Sequence, residues 1–436
     1  MLRMVLVLFS YAVGITLGLR DPIMACCLFI WSDIFRPSDW AYRLGILGSN
    51  LYLVHICTGV LAVSILMRPW KRRWNLGATV ILVTLIWFLI CALLAEYRDH
   101  AIDRTLTTFK YMIPLAFISA TLCTRQAQRM FLYTLAVSVG LWLAHHGLLA
   151  LMKMAPVTDM AIRGGQMSDR NDFLVAGNAC IPLLFYAARR YEGHFQKWVR
   201  IAFLAATGLS IVAAIFSLSR GAFVGLTALL VWYAFLTGRF FRRIALAGVV
   251  AIVGFFAMPD FVWERVGTIK TEGEQTESSA RARVEHMATA VQITLDYPLT
   301  GIGADNFQYV SLRYSAFNAE PHSLWLKCSA EYGLPMLVFF GLVCGLFFIR
   351  LRKRGILAHT LGDQDGEALA TALSCSLFGF LATGSFTSQF LSEYMWAIIA
   401  LIGAFLATPL EPAPGTPPDI DQEIEAAASL GAQKAA

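Results

Sequence analysis

The sequence predicts an all-α, polytopic transmembrane helix bundle, and two features of its 436 residues carry that prediction. Hydrophobic residues make up 57% of the chain and charged residues only 15%, whereas soluble domains average about 25% charged residues. The apolar residues are also grouped into blocks of about 20, the length at which a helix crosses a hydrocarbon core of ~30 Å. A soluble enzyme, a disulfide scaffold and a disordered chain are therefore excluded.

Eleven apolar segments have the length and composition of membrane spans: 45–67, 76–95, 105–122, 130–152, 173–188, 201–217, 222–237, 244–258, 333–349, 368–386 and 393–409. Residues 1–35 are interrupted by Arg20, Asp21 and Pro22. We count them as one crossing, although two short spans are the alternative. The expected total is about 12 spans.

Lysine and arginine fix the predicted orientation, because they accumulate in cytoplasmic loops. Five basic loops fall on one side if these spans are accepted; their first cations are Arg68, Arg125, Arg189, Arg239 and Arg350. That side is predicted to be the cytoplasm. The expected division is then 1–258 for an N-terminal bundle, 259–332 for a long periplasmic loop with short helices, 333–409 for C-terminal spans, and 410–436 for a flexible tail. The net charge of +6 does not indicate a nucleic-acid partner.

Arg220 is the first candidate functional residue. The apolar stretch 201–237 would be roughly 55 Å long as one helix at ~1.5 Å per residue, so it is predicted to be two spans joined by a tight outer turn at Ser219 and Arg220. The cation would lie at the outer edge of the bilayer. Snorkelling to lipid headgroups is one explanation; binding of an anionic substrate group is the functional one.

A second cluster lies in the long loop. Ser278 is predicted to cap a helix that runs to Asp296, with an apolar stripe of Val284, Met287, Ala288, Val291 and Leu295. Arg281 and Arg283 are about 200° apart around this helix, so only one of them is expected to face a shared site.

His322 is the third candidate. Pro321 suits a first helical position and Gly333 a helix end, which predicts His322 in the first turn of a short helix, where free N–H groups favour anions. A structural histidine is the alternative. Glu331 is a candidate to orient His322. In the outer loop before residue 173, Arg170 adds a cation and Asn171 is either a site residue or a helix cap. The nine cysteines form no metal-type spacing with histidine, and no metal ligands are predicted.

Four motifs occur in an order that resembles the O-antigen ligase and polymerase superfamily of bacterial membrane glycosyltransferases. They are Asn171-Asp-Phe with Pro182 downstream, Ser219-Arg-Gly-Ala, Ser279-Ala-Arg-Ala-Arg with Pro298-Leu-Thr-Gly-Ile-Gly, and His322-Ser-Leu-Trp followed by Glu331-Tyr-Gly. The likeness covers residues 165–350. The opening Leu19-Arg-Asp-Pro and Phe35-Arg-Pro are similar to the branch of O-glycosylation ligases associated with exosortase systems.

The resemblance implies a multi-pass GT-C-type transferase of the bacterial inner membrane that works on the periplasmic face without a metal or other cofactor. The implied donor is a glycan on undecaprenyl diphosphate, and the implied acceptor is lipid A–core or another glycan or protein hydroxyl. By position, Arg220, Arg283 and His322 match the superfamily's functional residues. Arg281, Arg170, Asn171, Ser219 and Glu331 are the candidate substrate-binding residues, although many members have proline where this chain has Arg170.

The resemblance favours O-antigen ligation to lipid A–core in lipopolysaccharide biosynthesis as the function. A repeat-unit polymerase and a protein O-oligosaccharyltransferase are the alternatives with the same donor. A lipid-linked glycan transporter is the alternative from a different class. A transporter would need cations through the depth of the membrane, and Lys110 and Asp33 are the main charged residues within the predicted spans.

Overall fold

The computed structural model describes residues 2–37, 50–67, 70–154, 169–238, 273–315 and 320–411, and over these ranges the chain is an all-α bundle without β-strands. Its helices in chain order are α1 Leu2–Arg20, α2 Pro22–Ile30, α3 Asn50–Met67, α4 Leu76–Leu94, α5 Arg98–Thr121, α6 Arg125–Lys153 and α7 Arg170–Arg190. They continue as α8 Gln196–Phe216, α9 Arg220–Leu236, α10 Gly273–Asp296, α11 Phe307–Val310, α12 Leu324–Thr360, α13 Gln364–Gly384 and α14 Glu393–Ala407.

Local sequence sets many of the helix starts. A side chain at the N-cap accepts a backbone N–H of the first turn at six of them: Asp21, Asn75, Thr124, Asp169, Ser219 and Asp363. Such caps satisfy amides that have no partner inside the helix. The apolar run that follows each cap then supplies the buried surface.

Six of the described helices are long and apolar enough to cross a membrane: α4, α6, α7, α8, α12 and α13. Shorter apolar helices overlap α1, α2, α3, α9 and α14. The polytopic all-α fold is confirmed, whereas the total of about 12 spans stays a prediction. The predicted span 244–258 lies outside the described residues, as do residues 259–272 of the predicted long loop and 412–436 of the tail.

Residues 1–35 form two helices rather than one continuous span. The chain breaks at Asp21, whose carboxylate accepts the N–H of Ile23 at 2.8 Å, and Pro22 takes the first position of α2. A π-helical turn, Trp31–Phe35, extends α2. The interruption predicted at Arg20-Asp-Pro is therefore present, and the number of crossings it makes stays a prediction.

The predicted turn within the stretch 201–237 is confirmed. Helix α8 ends at Phe216 and α9 begins at Arg220. Leu218 between them has a left-handed backbone with φ of 55°. The Ser217 hydroxyl donates to the Ala214 carbonyl at 2.7 Å and accepts the Ser219 N–H at 3.1 Å.

Helix α14 forms the centre of the bundle, and most of its side chains are buried. It lies so close to α4 that a Cβ on Gly403 would be 2.4 Å from the Cα of Gly77. Small residues let membrane helices approach in this way. At the same crossing the Ser119 hydroxyl of α5 donates to the Ala400 carbonyl at 2.8 Å. The three helices are therefore held together by close packing and a buried hydrogen bond.

Helix α10 differs from its prediction in two ways. It begins at Gly273 rather than at Ser278, because the intervening Glu-Gln-Thr-Glu continues the helix and acidic residues favour a helix N-terminus. The predicted apolar stripe also lies largely on the exposed side, with Val284, Val291 and Leu295 each exposed. The buried side carries Ala290, Ile293 and polar residues such as Thr294.

Helix α12 also begins elsewhere than predicted. Its N-cap is Ser323 and its first residue is Leu324, so Pro321 and His322 precede the helix instead of forming its first turn. Gly333 breaks the helix as predicted, with φ of 79°. A Cβ there would lie 2.2 Å from the Leu299 carbonyl oxygen. The second part continues to Thr360, beyond the predicted end at residue 349.

Candidate active site

The start of α7 forms one wall of the candidate site. Asp169 caps the helix by accepting the Asn171 N–H at 2.7 Å, which orders the first turn. That turn holds the predicted site residues Arg170 and Asn171. Arg170 is half-buried, and its Nε is a buried atom without a hydrogen-bond partner among the described residues.

The turn before α9 meets this wall directly. The Ser219 hydroxyl donates to the side-chain oxygen of Asn171 at 2.8 Å, and it accepts the Ala222 N–H at 3.4 Å as an N-cap. Two predicted site residues are thus in contact. Arg220 follows immediately and is exposed, so its guanidinium is available to a ligand. Helix capping alone would explain a serine at position 219. The hydrogen bond to Asn171 in addition connects the Asn171 motif with the Ser219 motif.

His322 lies in a strained turn before α12. Its φ is 46°, a left-handed conformation that few residues other than glycine adopt. The backbone N–H of His322 donates to the Ser388 hydroxyl at 3.1 Å. Two residues earlier, Glu320 accepts a hydrogen bond from Lys327 at 2.9 Å. The turn is therefore held on both sides, and backbone strain of this kind clusters at functional sites.

The surroundings of His322 include charges from three elements. Its ring is 6.2 Å from that of His286 on α10. Burial lowers the pKa of His322, and Arg283 and His286 lower it further, against the opposing charges of Glu320 and Asp169. Neutral imidazole is consequently favoured at neutral pH. The exposed Arg283 is thus close enough to act electrostatically on His322, while the side chain of Arg281 lies outside the described part of the chain.

The glycine-rich segment between α10 and α11 supports the site rather than opening to a ligand. The Ile302 and Gly303 N–H groups donate to the carbonyls of Ala330 and Glu331 at 3.0 and 2.9 Å. Gly301 has φ of 63°, and a Cβ there would lie 2.4 Å from the Glu331 carbonyl carbon. These amides hold α12 in place, so the two glycines have a structural role here.

Glu331 belongs to a buried charge network instead of pairing with His322. Lys327 is almost fully buried, and its Nζ lies 2.9 Å from Glu320, 3.4 Å from Asp305 and 3.7 Å from Glu331. Arg104 on α5 approaches Asp305 at 3.7 Å. Burial tends to raise the pKa of Asp305, but Lys327 and Arg104 outweigh it and hold that pKa below its usual range.

The loop between α13 and α14 supplies contacts that sequence reasoning missed. Besides Ser388, which accepts the His322 amide, Ser385 accepts the indole N–H of Trp325 at 3.0 Å. A Cβ on Gly221 would lie 3.0 Å from the Cβ of Phe386. One loop therefore touches both the His322 turn and the start of α9. No local sequence signal identified it, whereas the i, i+4 spacing of Lys327 and Glu331 was a visible signal for their ion pair.

The described residues contain no cluster of three or more histidine, cysteine, aspartate or glutamate side chains with metal-binding geometry. The side chains that the site presents are cationic, hydroxyl, amide and imidazole groups. Such groups bind phosphate oxygens and exchange protons with hydroxyls.

The middle of the chain matches a known protein family. Residues 205–341 match the family described as O-antigen ligase. This match supports membership of the protein in the O-antigen ligase and polymerase superfamily. The matched stretch includes Arg220, Arg283 and His322, and residues 1–191 match a family of unknown function. No curated protein matches the chain.

The matched family implies a glycosyltransferase-like enzyme, and the match supports a function of the O-antigen ligase or polymerase type. The helices and the family together make it a multi-pass membrane protein.

Proposed function

We propose that this O-antigen ligase-type protein transfers a glycan from undecaprenyl diphosphate to an acceptor hydroxyl on the periplasmic face of the bacterial inner membrane. The best-supported acceptor is lipid A–core, which makes the reaction an O-antigen ligation. Support comes from the family match and from the position of the candidate site at the ends of helices opposite the arginine-rich loops.

The observation that carries the proposal is the environment of His322. A strained turn presents the ring, Ser388 and Lys327 hold that turn through His322 N–H and Glu320, and Arg283 lies nearby. A histidine can accept a proton as a general base only in its neutral form. The lowered pKa of His322 keeps it in that form.

The reaction needs positive charge and a proton acceptor. In the proposed step the acceptor oxygen attacks the sugar carbon that is bonded to the diphosphate, and the carbon–oxygen bond to the diphosphate breaks. The leaving undecaprenyl diphosphate takes the bonding electrons, and Arg220 and Arg283 stabilise the charge that develops on it. His322 takes the proton of the acceptor hydroxyl.

The remaining predicted residues have supporting roles in this proposal. Ser219 and Asn171 hold the starts of α7 and α9 together and so position Arg220 and Arg170. Glu331 contributes indirectly: it pairs with Lys327, and Lys327 in turn holds Glu320 beside His322. We assign no direct contact with substrate to Glu331.

Transfer in vitro tests the proposal. Purified protein is incubated with undecaprenyl-diphosphate glycan alone, with lipid A–core or with a protein acceptor, in buffer with a divalent-metal chelator. Glycosylated core is the expected product. Longer lipid-linked chains without core product would make the protein a polymerase, and modification of a protein acceptor alone would make it a protein-glycosylating enzyme. Intact donor with each of these acceptors would contradict the transferase proposal.

A further inference from the structure

A second cluster of buried charge lies at the opposite end of the bundle from His322. It forms where α6 and α13 begin and where α12 and α14 end. The positive-inside rule places this arginine-rich end in the cytoplasm. Its charged residues are Arg125 and Arg129 on α6, Arg354 on α12, and Asp363 and Asp365 at the start of α13.

The two carboxylates of this cluster are already fully engaged. Asp363 accepts hydrogen bonds from Arg125 at 3.2 Å, from the Gly366 N–H at 2.7 Å and from the Glu411 N–H at 3.1 Å. Asp365 accepts from Arg129 at 3.1 Å and from the Tyr186 hydroxyl at 2.7 Å. Little acceptor capacity remains for another cation.

Arg354 is that other cation. Its Nε and Nη2 are buried atoms without a hydrogen-bond partner, and no carboxylate of the described residues lies within ion-pair distance of it. Arg125, which is only 4% exposed, also has an Nη1 without a partner. Both guanidinium groups lie over the ring of Phe405, with Cζ 4.9 Å from its centroid for Arg125 and 5.0 Å for Arg354.

Buried N–H donors of a charged group that lack an acceptor are strongly unfavourable. The aromatic ring compensates only part of that penalty, since a cation–π contact contributes about 0.5–2 kcal/mol. Two arginines from different helices thus present unused donors around one ring. Because Arg354 is half-buried rather than enclosed, an anion can reach it from the surface.

We propose that Arg354, with Arg125 beside it, binds a phosphate group at this end of the bundle. Paired guanidinium donors match phosphate oxygens. The exposed Arg350, Arg352 and Lys353 on the preceding turn of α12 surround the site with further positive charge. Basic pockets between helices on the cytoplasmic side bind anionic lipid headgroups, so a phosphodiester headgroup is the expected source of the phosphate, and soluble phosphate is the other source of the same chemistry.

Native mass spectrometry of the delipidated full-length protein tests this site without relying on transfer activity. The protein is titrated separately with phosphatidylglycerol and with diacylglycerol, which has no phosphate, and inorganic phosphate is tested by thermal unfolding in detergent. We expect wild-type protein to bind phosphatidylglycerol about tenfold more tightly than diacylglycerol, because one charge-assisted hydrogen bond to the phosphate contributes free energy of that order. Arg354→Met should abolish this preference.

Arg189→Met is the matched control, because it removes an exposed arginine at the end of α7 that is not part of the cluster. It should keep the wild-type preference within about twofold, the effect expected of an exposed charge. If Arg354→Met does not give monodisperse protein, Arg354→Gln provides the same test with a polar side chain.

Stabilisation by inorganic phosphate that depends on Arg354, without a lipid preference, would support the phosphate site and assign it to a soluble ligand. Equal binding of the two lipids by wild-type protein together with no response to phosphate would overturn the proposal. An unchanged preference in Arg354→Met would overturn it as well.

Discussion

The Ser219 hydroxyl donates a hydrogen bond to the side-chain oxygen of Asn171 at 2.8 Å, across 48 residues of sequence. This contact ties the start of α9 to the start of α7 and places Arg220 beside Arg170 and Asn171 in the fold. Residues from two separate motifs thereby form one wall of the candidate active site. The same hydroxyl caps α9, so a single side chain both begins a helix and joins two elements.

Replacing Ser219 should affect both stability and activity. Ser219→Ala removes the N-cap and the link to Asn171, and loss of an N-cap costs about 1 kcal/mol. We expect a lower midpoint of thermal unfolding in detergent and slower glycan transfer. Ser210→Ala is the control, because among the described residues the Ser210 hydroxyl bonds only to the Ala206 carbonyl of its own helix. An equal loss of transfer in both variants would contradict the positioning role of Ser219.

The pH dependence of transfer should respond in opposite directions to two charge changes near His322. Arg283 lowers the pKa of His322 and Glu320 raises it, while His286 and Asp169 contribute the other nearby charges. If neutral His322 is the base, activity falls as the pH decreases through its pKa. Arg283→Gln should therefore move the acid limb to higher pH, and Glu320→Gln should move it to lower pH.

The measurement is the pH profile of kcat for each variant that retains activity. Shifts of both variants in the same direction, or an acid limb that neither variant moves, would show that His322 does not control the profile. Reaction of His322 with diethyl pyrocarbonate, followed by mass spectrometry across the same pH range, reports its protonation independently of transfer.

Lys327 should be among the most sensitive residues for stability. Its ammonium group is buried among Glu320, Asp305 and Glu331, and removing one partner of a buried ion pair costs about 3–5 kcal/mol. Lys327→Met should lower the free energy of unfolding by that order. The double variant Lys327→Met with Glu331→Leu should recover part of the loss, because it also removes a buried charge. The exposed Lys353→Met is the control, and an equal effect there would refute the network's importance.

Two glycines of α12 provide a matched pair. At Gly333 a Cβ would meet the Leu299 carbonyl oxygen and φ is 79°, so Gly333→Ala should destabilise the protein by roughly 1–3 kcal/mol or more. At Gly341 a Cβ would meet nothing within 4 Å, so Gly341→Ala should be neutral or should stabilise the helix by up to about 1 kcal/mol. Unfolding measured for both variants checks this contrast, and similar destabilisation at the two positions would contradict it.

Structural features could be predicted from the sequence where the length of a segment or the type of a residue allowed only one local structure. The stretch 201–237 is too long for one span, and its predicted turn at Ser219 is confirmed. Gly333 was correctly predicted to end a helix. The superfamily resemblance of the motifs is confirmed by the family match over residues 205–341.

Features that depend on long-range contacts were missed or mispredicted. The backbone of His322 is held by Ser388, 66 residues away, so no local pattern placed it before the helix instead of within it. On α10, the buried side includes Thr294, whose hydroxyl pairs with that of Ser329 at 2.9 Å. The pattern of apolar residues predicted that the opposite side is buried. That pattern does not include polar residues, even when hydrogen bonds inside the protein allow them to be buried.

Glycan transfer by His322→Asn is the most direct test of His322 as the general base. Its control is His194→Asn, which changes an exposed histidine on the opposite face. Both variants are measured against wild-type protein with saturating donor and acceptor, after their folding has been checked by thermal unfolding. We expect His322→Asn to lose transfer by about 10²–10⁴-fold, the contribution expected of a general base, and His194→Asn to keep it. Wild-type transfer rates in folded His322→Asn would contradict the proposed site.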